Sequence, residues 1–186
     1  ALATTAYDDG YTAGGMYYCN GTGGETRRNV TINNVIAGDK IVVYMASSNA
    51  ATGTLVFKYL GEDNEQVEKA SFTNKGTKYE FVAKYSGSYK VYTDAAAGKP
   101  IYNRIVRIPG VAVSGTIDGA QLSGYKVMFK DEANGITYDA DIKGNTFTAT
   151  LAAGCNYTAV LSGVAGYGFS NATKNISTTV DDALRG

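Results

Sequence analysis

From Lys78 to Tyr85 the chain alternates apolar and polar positions, with Tyr79, Phe81, Ala83 and Tyr85 on one side and Lys78, Glu80 and Lys84 on the other. Successive side chains of a strand point to opposite faces, so this spacing predicts a half-buried β-strand. The same period recurs along the chain. Val30 and Ile32 share a face within Arg28 to Asn33, and Leu55, Phe57 and Tyr59 share one within Thr54 to Leu60. Ile41 to Ala46, within the run from Lys40, is apolar without a break, which predicts a strand covered on both faces. Ser88 to Thr93 and Ile101 to Ile108 complete the set, behind a Gly-rich entry segment from Tyr7 to Gly24. Asn74-Lys75-Gly76 and Ser86-Gly87-Ser88 suit tight turns, and Gly61 to Glu65 forms a charged tip. Only Asp94 to Gly98, with Ala95, Ala96 and Ala97, offers as much as one helical turn.

Pro109-Gly110 marks the best boundary, because proline ends a strand and glycine loosens the backbone after it. Two modules are expected, 1–110 and 111–186. In the second, Ser114 to Ile117, Tyr125 to Lys130, Ile136 to Ile142, Phe147 to Leu151 and Tyr157 to Leu161 are short alternating runs between Gly- and Asn-bearing turns. That is the grammar of a small immunoglobulin-like sandwich. The chain opens at Ala1 without a leader pattern and closes on Asp181 to Gly186, which reads as a connection. A monomeric piece of a larger chain is expected.

Composition narrows the chemistry. The 186 residues are 44% hydrophobic and carry 17 basic and 17 acidic side chains. That balance gives no electrostatic case for nucleic acid, and no apolar run is long enough for membrane insertion. There is no His, the commonest general base and zinc ligand, and no Trp. Fifteen Tyr and 23 Gly instead favour sheet surfaces and turns. Cys19 and Cys155 fall one in each module and read as two unpaired, partly buried thiols. Acidic residues such as Asp139 and Asp141 sit at turns or on charge-alternating faces, so no carboxylate pair for glycoside hydrolysis stands out. A non-catalytic chain is expected.

The best binding candidates are Tyr7, Tyr11, Tyr17 and Tyr18, with Asn20, Arg27 and Arg28 beside them. A tyrosine ring offers a flat face to the C–H side of a sugar, and Asn and Arg can bond hydroxyls or a uronate. The competing account packs the same rings on the sandwich, and the burial habit of tyrosine favours it. Tyr102 and Arg104 alternate with Asn103 and would extend a binding face, or sit on an ordinary solvent face. Asp8-Asp9 with Asn20, or Glu62 to Glu65, would supply oxygens to calcium; neither matches the EF-hand spacing, and the acidic tip is better read as solvated. Lys126, Lys130 and Asn175 are the candidates for a Lys–Asn isopeptide bond, though alternation turns both lysines away from the Tyr125-Val127-Phe129 face. The Asn-x-Ser/Thr triplets at Asn20, Asn29, Asn156, Asn171 and Asn175 are expected by chance in a Thr- and Asn-rich chain.

Two stretches carry a resemblance. Ser114-Gly115-Thr116-Ile117, Tyr138-Asp139-Ala140, Phe147 to Leu151 and Gly154 to Thr158 resemble carboxypeptidase-regulatory-like, immunoglobulin-type modules of large secreted proteins of gut and rumen bacteria. Val30-Thr31-Ile32, Gly38 to Tyr44, Gly87 to Tyr92 and Ile101 to Ile105 resemble the jelly-roll accessory modules of the same proteins. The resemblance implies an all-β chain: a jelly-roll-like antiparallel β-sandwich followed by a smaller immunoglobulin-like β-sandwich. It implies an extracellular, secreted or cell-surface location. The first module would bind plant cell-wall or other polysaccharide, the second would act as spacer, and a structural calcium would be in keeping. The alternative is a structural or adhesive stalk with a protein partner.

Overall fold

The computed structural model describes residues 5–48, 52–94, 99–117, 124–163 and 173–176, the last four by their backbone alone. Among them every regular element is a β-strand, and every pairing registered between strands is antiparallel. The expected turn at Ala95 to Ala97 lies outside the described residues. Two compact units emerge. One comprises Ala1–Ile36 and Lys40–Arg107, the other Ala37–Asp39 and Ile108–Gly186.

The first unit holds β1 (Tyr17–Tyr18), β2 (Val30–Val35), β3 (Lys40–Ser48), β4 (Gly53–Tyr59), β5 (Val67–Phe72), β6 (Thr77–Val82), β7 (Gly87–Asp94) and β8 (Lys99–Ile108). They form two four-stranded sheets, ordered β1-β8-β3-β6 and β2-β7-β4-β5. Alternation places Ile41, Val43 and Met45 of β3 and Phe81 of β6 in one core with Leu55 and Phe57 of β4 and Val91 of β7. Phe57 lies nearly parallel to Phe81 of the opposite sheet, centroids 5.0 Å apart, and to Tyr89 at 4.5 Å. Offset ring pairs of this kind add about 1 kcal/mol each beyond the area they bury. In β2 the register slips between Ile32 and Val35, and Asn34 takes φ 57°, a left-handed turn that asparagine tolerates.

Strand β3 is buried on both faces, as its unbroken apolar run predicts. Its second face is covered by the entry segment. Ala6 bridges Thr12, Tyr7 N–H bonds Tyr11 C=O at 2.8 Å, and Gly10 N–H bonds Tyr7 C=O at 3.0 Å. This small hairpin lays Tyr7 and Tyr11 on Tyr44, with centroids 5.0 and 4.8 Å away. Gly76 makes room for it, because a Cβ there would stand 2.3 Å from Thr5 Cγ2 and 3.3 Å from the Tyr7 ring.

The second unit holds β9 (Val111–Thr116), β10 (Lys126–Asp131), β11 (Ile136–Asp139), β12 (Asp141–Lys143), β13 (Thr146–Leu151), β14 (Cys155–Ser162) and β15 (Thr173–Ile176). Its sheets are ordered β12-β13-β9 and β11-β10-β14-β15. The run Ile136 to Ile142, expected as one strand, is two. It breaks at Ala140, whose N–H reaches Val127 C=O at 2.9 Å before the chain crosses to the other sheet. Val127, Phe129, Ile136, Tyr138, Leu151 and Tyr157 are buried. Asp131 is buried too, and its carboxylate is spent on the β10–β11 turn, accepting from Asn134 N–H and from its side-chain amide.

Each unit ties a loop down with a tyrosine hydroxyl. Tyr89 Oη accepts from Tyr85 N–H at 3.0 Å and lies 2.9 Å from both Tyr85 C=O and Gln66 Oε1. Tyr157 Oη accepts from Ala152 N–H at 2.8 Å and faces Ala152 C=O at 3.3 Å. A tyrosine near a strand start that bonds backbone a few residues upstream is a recurring corner of β-sandwiches.

Candidate functional site

The four tyrosines of the entry segment divide into two pairs. Tyr7 is 5% exposed; its hydroxyl donates to Asn103 Oδ1 at 2.6 Å, and burial pushes its pKa well above the ordinary value. Tyr11 is half-buried, stacked on Tyr7 at 5.5 Å with the Arg104 guanidinium 5.2 Å from its ring centre. These rings pack on the protein itself. The hairpin is fastened by Asp9, which accepts Tyr11 N–H and the Tyr44 hydroxyl, the latter at 2.7 Å, with Lys78 Nζ 3.7 Å away. The Tyr44 bond, chiefly, holds the Asp9 carboxyl below its usual pKa. Burial, then Asp9, lifts Tyr44 to about 12.

Tyr17 and Tyr18 stand differently. They form β1, the edge strand beside β8, in register with Tyr102 and Ile101. Met16, Tyr17 and Tyr18 are 46, 54 and 41% exposed, three consecutive large apolar side chains open to solvent. Consecutive strand residues face opposite ways, so the two rings flank the sheet edge rather than share a platform. Tyr17 lies over Tyr102, centroids 6.3 Å apart. Tyr102 is 3% exposed, a core residue, and its hydroxyl has no hydrogen-bond partner among the described residues.

Tyr18 looks out with Lys99 and Asn20. Cys19 N–H bonds Pro100 C=O at 3.1 Å, continuing the ladder so that Asn20 comes opposite Lys99. Lys99 Nζ sits 5.8 Å from the Tyr18 ring centre and donates to Asn20 Oδ1 at 2.9 Å. Ser48 foremost, then Lys99, lowers the Tyr18 hydroxyl pKa. Arg28 continues the strip. Its guanidinium lies against Gly21, where a Cβ would come within 2.9 Å of it, and it donates to Thr22 C=O at 3.1 Å. Arg27 reaches Thr22 Oγ1 at 3.4 Å. Both arginines are exposed, and Arg28 holds φ 53°. The acid of this loop, Glu25, is bonded to Lys58 Nζ at 2.6 Å, which leaves the strip cationic.

Of the predicted site residues, the structure therefore brings Tyr18 and Asn20 together at Lys99, with Tyr17 at the edge, and Arg27 and Arg28 together at Thr22, two residues on from Asn20. It gathers Tyr7, Tyr11 and Arg104 on the hairpin and puts Tyr102 in the core. Asn103 and Arg104, placed on opposite faces by alternation, both meet the entry segment, Asn103 also donating to Gly15 C=O. Lys99 joins the strip without any signal in the sequence. Its partner Asn20 is 79 residues away, across a two-residue strand that no local pattern announces.

The calcium candidates separate. Asp8 faces Lys75 at 3.5 Å while Asp9 turns to Tyr44, and Glu62 to Glu65 are all exposed. Among the described residues no group of three or more His, Cys, Asp or Glu converges. Neither cysteine forms a disulfide; Cys19 is buried and Cys155 half-buried, and burial raises the Cys19 pKa. Glu68 has its pKa raised by burial, and its neighbour is the Gln66 amide rather than a second acid. Lys126 and Lys130 are exposed, and the Asn175 side chain lies outside the described part of the molecule. No protein-family model, curated protein or solved structure matches the chain.

Proposed function

We propose that this is a non-catalytic, extracellular pair of accessory modules in which the first unit binds polysaccharide and the second is a spacer. The observation that carries it is the exposure of Tyr17 and Tyr18 on edge strand β1, when Tyr7 and Tyr102 nearby are buried. Exposed rings beside hydrogen-bonding Asn and Lys side chains suit sugar, with an apolar C–H face and a hydroxyl rim. The strand orders support the jelly-roll assignment: eight strands wrap in two sheets, with the first beside the last. The immunoglobulin-like assignment carries one departure. Constant-type immunoglobulin sheets seat the second strand beside the fifth, whereas β10 pairs with β11 and β14.

Native affinity gels cast with homogalacturonan or β-glucan test this on the full chain. Retention is expected, and Tyr18→Ala should weaken it by about tenfold, a ring contact's worth. Tyr17→Ala should cost less, because that ring points away from Asn20 and Lys99. Unchanged migration on every polymer refutes the proposal and favours a stalk with a protein partner.

A further inference from the structure

We infer that the polymer is anionic, its carboxylates or sulfates bound along the strip Tyr18–Lys99–Asn20–Arg28–Arg27; the inference rests on the polysaccharide reading above. The whole chain is neutral, so the selectivity has to be local. Three cations line this strip. Each is held by a neutral oxygen, Lys99 by Asn20 Oδ1, Arg28 by Thr22 C=O and Arg27 by Thr22 Oγ1. Among the described residues none of the three is paired with a carboxylate. Four other cations of the unit are paired with carboxylates: Lys40 and Lys78 with Glu80, Lys58 with Glu25, Lys75 with Asp8. Besides Glu25, one acid borders the strip among the described residues. Thr93, which a Cβ on Gly23 would strike, is followed by the exposed Asp94.

The cations are also held in place. Asn20 ties Lys99 over the Tyr18 ring, and Thr22 anchors both guanidiniums on one residue. Charges fixed this way lose less conformational freedom on binding than free side chains do. Guanidinium and ammonium groups pair well with carboxylate and sulfate oxygens, and a ring beside them covers the sugar's apolar face. A neutral glucan would leave three cations facing hydroxyls.

The test compares the full chain on polygalacturonate, its methyl ester, dextran sulfate, dextran and neutral β-glucan. Retention by polygalacturonate or dextran sulfate is expected, with the methyl ester and the neutral polymers held at least about fivefold more weakly. It should fall as NaCl rises from about 0.05 to about 0.5 M, as screening shortens the reach of exposed charge. Lys99→Gln should weaken retention about fivefold, whereas Lys99→Arg should keep it. Lys126→Gln, the same charge change on the other unit, should leave it intact. Equal retention of acidic and neutral polymers, or equal loss in the Lys99 and Lys126 variants, overturns the charge assignment and leaves polysaccharide binding standing. Retention by neutral polymers alone does the same. Retention by none overturns both.

Discussion

The two tyrosine corners differ in how much buried backbone depends on them, and Phe substitution separates the cases. Tyr157→Phe removes a hydroxyl that satisfies both N–H and C=O of Ala152, a residue with no exposed surface. A buried group left unpaired costs about 1–3 kcal/mol, so two groups on one residue put this variant near the upper end. Tyr89→Phe also removes a buried hydroxyl, but the groups it leaves are better served. Gln66 Oε1 keeps the Lys84 N–H at 2.8 Å, and Tyr85 is half-exposed, within reach of water. That variant should lose about 1 kcal/mol. Urea titration followed by far-ultraviolet circular dichroism reads both. With a slope of about 1–3 kcal/mol per molar, the second unit's midpoint should drop by about 1 M in Tyr157→Phe. The first unit's should drop by about a third of that in Tyr89→Phe. A Tyr157→Phe midpoint that moves no further than the Tyr89→Phe one would refute the reasoning, because it would mean Ala152 finds another partner.

Further outcomes rest on the same kind of contact. Tyr102→Phe should leave stability unchanged or raise it by about 1 kcal/mol, read as a melting-temperature increase, because the lost hydroxyl is buried without a partner among the described residues. The stabilisation linked to Tyr44, whose pKa is about 12 when folded and near 10 when unfolded, is whole below pH 10 and lost as pH rises toward 12. Alkaline titration should therefore show cooperative unfolding with the rise in phenolate absorbance, and Tyr44→Phe should shift that transition upward. Gly38→Ala should cost about 2 kcal/mol or more in thermal melts, since φ is +92° and the new Cβ would stand 2.8 Å from Thr150 C=O. Intact mass should equal the sequence mass, with no deficit of one ammonia, because Lys126 and Lys130 are exposed to water.

Alternation made most of the strands legible. The double-faced run of β3 appears as its period predicts, and the alternating run from Lys78 appears in β6, which ends at Val82 rather than Tyr85. The failures have local causes. Strand β5, Val67-Glu68-Lys69-Ala70-Ser71-Phe72, hides its period because it is an edge strand whose charges keep other chains from pairing with it. The break at Ala140 is invisible because the apolar spacing runs on while the hydrogen bonds change sheets. The entry segment shows the limit for the site. Its tyrosines look alike in sequence, yet a glycine turn folds Tyr7 onto Tyr44 while pairing with β8 holds Tyr17 and Tyr18 at the rim. Which ring is exposed was decided by residues far along the chain.

The joining of β1 to β8 sets an order of events during synthesis. The Tyr7 hydroxyl meets Asn103 across 96 residues, and Tyr17 pairs with Tyr102. The Tyr7–Asn103 bond and the β1–β8 pairing cannot form until β8 has emerged, and contacts closed over such long loops form slowly. Until then the side of β3 that β8 pairs with is open. A chain cut short before β8 would keep that surface open and be prone to aggregate. Removing Thr5 to Thr12 would bare the Tyr44 face even in a chain that includes β8.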